Sequence, residues 1–102
     1  HPLTLLFAAV EDKDYQDMIR TICGRIDFRH VVTTQVGGGR LVPAEKLAEI
    51  FREMGCEDVR AFEQIPDAFG EACRLKGCDG MLFCVGSLYL VGEIKSVIRR
   101  KG

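Results

Sequence analysis

Residues 81–93 read Met81-Leu82-Phe83-Cys84-Val85-Gly86-Ser87-Leu88-Tyr89-Leu90-Val91-Gly92-Glu93, and this stretch decides the fold. Its first five residues are apolar, which is typical of a buried parallel strand. A glycine ends the run, and from Leu88 onward the apolar residues recur at helical spacing. The pattern predicts a strand, a turn at Gly86-Ser87 and a helix. Ser87 and free backbone N–H groups would then lie at a helix N-terminus, a place that attracts anions.

The same succession of strand and helix is predicted three times earlier in the chain. The predicted strands cover residues 3–10, 28–34 and 58–62, and the helices begin at Asp12 or Asp14, at Pro43 and at Pro66. Four βα units predict right-handed crossovers and a mainly parallel sheet. We therefore expect an α/β, Rossmann-like domain with three layers. A flavodoxin-like strand order stays open at this point.

The apolar content of the strands suggests where each one lies in the sheet. The first and fourth strands are the most apolar, so both are expected in the interior. The third strand alternates polar and apolar residues, which suits an edge. If the first and fourth strands are neighbours, they mark the point where the strand order reverses. The loops after them, residues 11–14 and 86–87, would then flank a ligand crevice.

Composition limits the class of protein. The chain has 102 residues and a net charge of −1, which fits one domain and gives no basic field for nucleic acid. Its five cysteines show no metal-site spacing, so reduced thiols and a cytoplasmic location are expected. No apolar run approaches the roughly 18 residues of a membrane span. Because the chain starts at His1 and enters a strand at once, we expect it to be a piece of something longer.

Two short segments carry candidate binding residues. Ser87, with Gly86, is either an ordinary N-cap or the holder of a carboxylate or phosphate. Asp12 and Asp14 suit the first turn of a helix, but Lys13 opposes the helix dipole there, which suggests pairing with an anionic substrate. The run of glycines at residues 37–39 lacks the Gly-Lys-Ser/Thr ending of a phosphate-binding loop and predicts only a loop.

Three segments together resemble one enzyme family. They are Phe7-Ala8-Ala9-Val10-Glu11-Asp12-Lys13-Asp14-Tyr15, Val32-Thr33-Thr34 with Arg40-Leu41-Val42-Pro43, and Gly86-Ser87-Leu88-Tyr89-Leu90-Val91-Gly92-Glu93. This combination is similar to the C-terminal domain of folylpolyglutamate synthases and dihydrofolate synthases, in the Mur ligase superfamily. The resemblance covers most of the chain and implies a piece of a larger Mur-ligase-type C-terminal domain.

The resemblance implies a function for the whole enzyme. Family members use ATP and Mg²⁺ to phosphorylate a carboxylate of folate or dihydropteroate, and the amine of glutamate then attacks the acyl phosphate. It implies that Ser87 helps to hold the incoming glutamate and that Lys13 pairs with its carboxylate, with Gly86, Asp12 and Asp14 beside them. The family's ATP site and its Asp-Gly-Ala-His-Asn motif would lie upstream of His1. This piece alone is therefore expected to hold no cofactor and to be inactive.

Two alternatives stay open. One is a non-catalytic α/β interaction or receiver-like module, for which Glu11 and Asp12 could mimic the acidic pair although no aspartate follows the later strands. The other is a Mur-type ligase acting on a peptidoglycan precursor. The sequence indicates neither the oligomeric state nor the preference between folate and dihydropteroate.

Overall fold

A computed structural model of the chain describes residues 3–9, 15–35, 42–77 and 80–85. The elements in chain order are β1 (Leu3–Phe7), α1 (Tyr15–Arg25), β2 (His30–Thr34), α2 (Ala44–Glu53), β3 (Val59–Phe62), α3 (Ile65–Lys76) and β4 (Met81–Val85). The succession of strand and helix is the predicted one. The helix expected after Ser87 lies outside the described residues.

The four strands form one parallel sheet in the order β3-β2-β1-β4. The doubly wound dinucleotide-binding fold begins with this order, 3-2-1-4. In the flavodoxin-like order, which receiver domains share, the third strand would pair with the first. Here β3 pairs with β2 instead, so the flavodoxin-like strand order is wrong. The receiver-like alternative would need that order, so the fold does not support it.

Helices cover both faces of the sheet. Neighbouring side chains of β1 point to opposite faces, so β1 contributes to a core cluster on each side. Leu5 and Phe7 belong to a core cluster with residues of α1 and α2. Leu6 belongs to a second cluster with Ala68 and Ala72 of α3. The predicted α/β architecture of three layers around a parallel sheet is therefore confirmed.

Some predicted details are wrong. β1 is confirmed as a central strand, but it ends at Phe7, whereas residue 10 was expected. β3 lies at an edge as expected, yet among the described strands β4 forms the other edge, and its Met81 side chain is 50% exposed. Met54 follows Leu47, Ile50 and Phe51 at helical spacing, which predicts that it lies on the same buried face of α2, but its side chain is 40% exposed. Its helical spacing misleads because α2 ends at Glu53 and Met54 already belongs to the helix end.

A chain of polar contacts ties β2, β3 and α3 together. His30 Nδ1 lies 2.6 Å from Asp58 Oδ2, and Arg60 Nε donates to Asp58 Oδ1 at 3.1 Å. Arg60 also donates to Glu71, whose Oε1 accepts from Arg74 Nε at 2.5 Å. Hydrogen bonds from Arg74 and Arg60 lower the pKa of Glu71 to about 2, although burial acts in the opposite direction. The ionised Glu71 carboxylate is thus favoured by the folded state.

Replacing Glu71 with glutamine is expected to lower the free energy of unfolding at neutral pH. Because folding lowers the pKa of Glu71 from 4.5 to about 2, its contribution is present above pH 4.5 and fades as the pH falls towards 2. Urea unfolding at several pH values should therefore show a gap between wild type and Glu71→Gln that closes in acid. Glu49→Gln, on the exposed side of α2, is the matched control and should show no such gap. A difference in unfolding free energy that stays constant with pH would contradict the explanation by the ionised Glu71 carboxylate.

Candidate functional site

The ends of β1 and β4 meet at the carboxyl edge of the sheet. Phe7 is the register partner of Val85, and Ala8 N donates to Val85 O at 3.2 Å. β2 lies on the other side of β1, so the strand order reverses between β1 and β4. In open parallel sheets, ligands bind in the crevice at such a switch point. The condition set for a switch point, that the first and fourth strands are neighbours, is therefore met.

The start of α2 is fastened to the same edge. Thr33 Oγ1 donates to Ala44 O at 2.8 Å, and Gln35 Oε1 accepts from Ala44 N at 3.1 Å. Val42 N donates to Ala9 O at 3.3 Å, which joins this helix start to the end of β1. Gln35 therefore supplies the cap that Pro43, at the N-cap position, lacks. The sequence reading placed Gln35 only in a loop and missed this role.

All five predicted site residues lie outside the described residues: Asp12, Lys13, Asp14, Gly86 and Ser87. The nearest described residues before them in the chain are Ala9 and Val85. Gly86 follows Val85 directly, and Lys13 is four residues beyond Ala9. The structure thus brings together the two strand ends that lead into the predicted segments. The assignment of the five side chains stays a prediction.

A concave surface lies at the amino end of the sheet, opposite the switch point. This amino-end cleft has a volume of about 670 Å³. Its lining residues are Leu3, Cys23, Ile26, Asp27, Phe28, Arg29, Met54, Gly55, Cys56 and Glu57. In it, Cys23 Sγ lies 4.0 Å from Cys56 Sγ. Burial, with a smaller effect of Cys56, raises the pKa of Cys23 to about 12, so its thiol is neutral.

This pair has no signal in the sequence, because the two cysteines are 33 residues apart and lie in different parts of the fold. Among the described residues, no three His, Cys, Asp or Glu side chains are grouped as a metal site would need. None of the helices in the described segments combines the length and the apolarity needed to cross a membrane.

Comparison with known proteins finds similar folds among solved structures, whereas no protein-family model and no curated protein matches the chain. One similar structure is the folylpolyglutamate synthase of Mycobacterium tuberculosis complexed with ADP. The TM-score is 0.77 at 24% identity, over 94% of this chain and 23% of that one. The chain has the fold of part of a folylpolyglutamate synthase.

Two further synthases support this result. The folylpolyglutamate synthase of Thermotoga maritima gives a TM-score of 0.75 at 23% identity, over 99% of this chain and 22% of that one. The bifunctional folylpolyglutamate synthase/dihydrofolate synthase of Yersinia pestis is complexed with AMPPNP and a Mn ion. It gives a TM-score of 0.76 at 18% identity, over 96% of this chain and 22% of that one. The chain thus spans less than a quarter of the length of these synthases. The resemblance seen in the sequence is confirmed for the fold.

Proposed function

We propose that this chain is the glutamate-binding part of the C-terminal domain of an ATP-dependent folylpolyglutamate synthase. In the whole enzyme, ATP would phosphorylate the carboxylate of folate, or of dihydropteroate in a bifunctional enzyme. The amine of glutamate would then attack the acyl phosphate and release phosphate. Four similar structures, all folylpolyglutamate synthases, support this proposal together with the sequence motifs that led to the same family.

The observation that carries the proposal is the contact between the ends of β1 and β4, where Ala8 N donates to Val85 O. The segments that follow these ends in sequence contain a serine, a lysine and two aspartates. Ser87, the backbone N–H groups after Gly86 and Lys13 would bind a carboxylate of glutamate. Asp12 and Asp14 would attract its ammonium group. A zwitterionic amino acid needs both kinds of partner.

ATP and Mg²⁺ would be bound mainly by the rest of the full-length enzyme. Among the described residues, no group of side chains is suited to hold a metal ion. The described end of β2, Thr33-Thr34, likewise carries no acidic ligand. We propose that the chain binds and orients glutamate in a cytoplasmic enzyme and has no ligase activity alone.

Replacing Ser87 with alanine, in the longer enzyme that contains this chain, is expected to raise the KM for glutamate roughly tenfold. Loss of one hydrogen bond to a charged group, about 1.5 kcal/mol, gives this factor. The KM for ATP should stay nearly constant, because the nucleotide would bind elsewhere. Steady-state kinetics with each substrate varied in turn measure both values.

Ser96→Ala is the matched control, since it makes the same chemical change later in the same predicted helical segment. An unchanged KM for glutamate in Ser87→Ala would remove Ser87 from the site. Activity of the wild-type enzyme with a peptidoglycan precursor, and none with folate or dihydropteroate, would favour the Mur-type alternative. These two outcomes are distinct, because the first tests the residue and the second tests the substrate class.

A further inference from the structure

We propose that Cys23 and Cys56 form a dithiol that closes to a disulfide and fastens the end of α1 to the segment between α2 and β3. Their sulfur atoms lie 4.0 Å apart in the amino-end cleft, and both side chains are partly buried. The cleft opens to solvent and gives a small oxidant access to the pair. The proposal does not depend on the ligase function, whose predicted site lies at the opposite end of the sheet.

The backbone around each cysteine is fixed by hydrogen bonds. Cys56 N donates to Phe51 O at 3.1 Å, and Gly55 N donates to Arg52 O at 3.0 Å. On the other side, Ile26 N donates to Ile22 O at 2.9 Å and continues the helical bonding past Cys23. A disulfide bond is about 2 Å long, so the sulfurs must approach by about 2 Å. We infer that rotation of the two side chains supplies this movement.

The oxidant is a small disulfide such as oxidised glutathione. The thiolate of one cysteine attacks a sulfur of glutathione disulfide, which forms a mixed disulfide and releases one glutathione thiolate. The second cysteine, after losing its proton to water, attacks the protein sulfur of the mixed disulfide and releases the second glutathione. In total, two cysteine thiols lose two electrons and two protons, and glutathione disulfide becomes two glutathione thiols.

Either cysteine can make the first attack, and the other then resolves the mixed disulfide. Burial raises the pKa of both Cys23 and Cys56, so both thiols are neutral at pH 7 and each reacts through its minor thiolate form.

The test uses a variant in which Cys73, Cys78 and Cys84 are replaced by serine, so that Cys23 and Cys56 are the cysteines left. Treatment with oxidised glutathione should give a chain lighter by two hydrogen atoms, with Cys23 and Cys56 in one cross-linked peptide by mass spectrometry. The cross-link joins residues 33 apart and should raise Tm by roughly 5–10 °C, reversibly with a reductant.

Adding Cys23→Ser or Cys56→Ser to this variant should leave a stable glutathione adduct on the remaining cysteine, because no second thiol is there to resolve it. Glutathione adducts on both cysteines without a Cys23–Cys56 disulfide would overturn the proposal. A disulfide form whose Tm lies below that of the reduced chain would overturn it as well. Peptide mapping of the oxidised wild-type chain is a second measurement, which stays informative if the serine variants fold poorly. A wild-type chain whose Cys23 and Cys56 remain free thiols would also overturn it.

Discussion

Replacing Phe7 with alanine is expected to reduce the free energy of unfolding by about 4 kcal/mol, a large part of the stability of a domain this size. Phe7 is fully buried at the end of β1. Its ring meets Phe51 of α2 edge to face, with 5.4 Å between the ring centres. Alanine would lose this contact and leave a cavity between the central strand and α2. Urea unfolding followed by circular dichroism measures the loss.

Phe83→Ala is the matched control for this prediction. Phe83 lies on β4, and its side chain is 36% exposed although its ring meets Phe28. The same truncation there should cost less than about 2 kcal/mol, because a half-exposed ring gains less from burial. If the two variants lost equal stability, the position of Phe7 at the centre of the core would be contradicted.

The buried end of β1 also explains why the candidate polar residues near the switch point belong to the segments after the strands. Ala8 and Ala9 follow Phe7, are buried, and hold the ends of β4 and the start of α2 through their backbone groups. At the switch point, β1 thus ends in buried alanines whose backbone groups are hydrogen-bonded, and the candidate polar residues belong to the segments beyond it. Binding sites that lie on connections above a rigid sheet are the usual arrangement in this class of fold.

The sequence was sufficient for features that depend on local chemistry. Glycine predicts the ends of α2 and α3, and Gly55 and Gly77 indeed have positive φ angles of 98° and 68°. The alternation in β3 indicates an edge, since half of its side chains can face solvent. The apolar run of β1 correctly predicts a central strand. The helix expected after Ser87 and the side-chain roles assigned at residues 12–14 and 86–87 still rest on the sequence alone.

Features that depend on long-range placement could not be predicted in this way. The apolar run of β4 suggests an interior strand, but among the described strands it has one neighbour, β1. Nothing in its local pattern reveals how many strands lie beyond it. Gln35 caps α2 from nine residues away, and Cys23 meets Cys56 only because α1 and α2 pack side by side. Contacts of this kind follow from the topology and not from spacing.

Replacing Ala68 with leucine is expected to lower the free energy of unfolding by about 2 kcal/mol or more. Ala68 and Ala72 are fully buried and lie one turn apart on the face of α3 that packs on Leu6 and Val32. Small side chains at both positions let the helix lie close to the sheet. A leucine would force α3 away from β1 and β2 or push side chains out of their preferred rotamers. Thermal and urea unfolding measure the effect.

Gly70→Ala on the same helix is a control for which a change in stability of the opposite sign is expected. A Cβ atom at Gly70 would meet nothing within 4 Å, so the change should raise the free energy of unfolding by about 0.5–1 kcal/mol through helix propensity alone. The two variants thus add carbon atoms to neighbouring positions of one helix with opposite expected signs. A neutral Ala68→Leu would mean that α3 does not pack closely on the sheet. Since α3 is the layer that makes this fold doubly wound, that result would also weaken the assignment of the switch point.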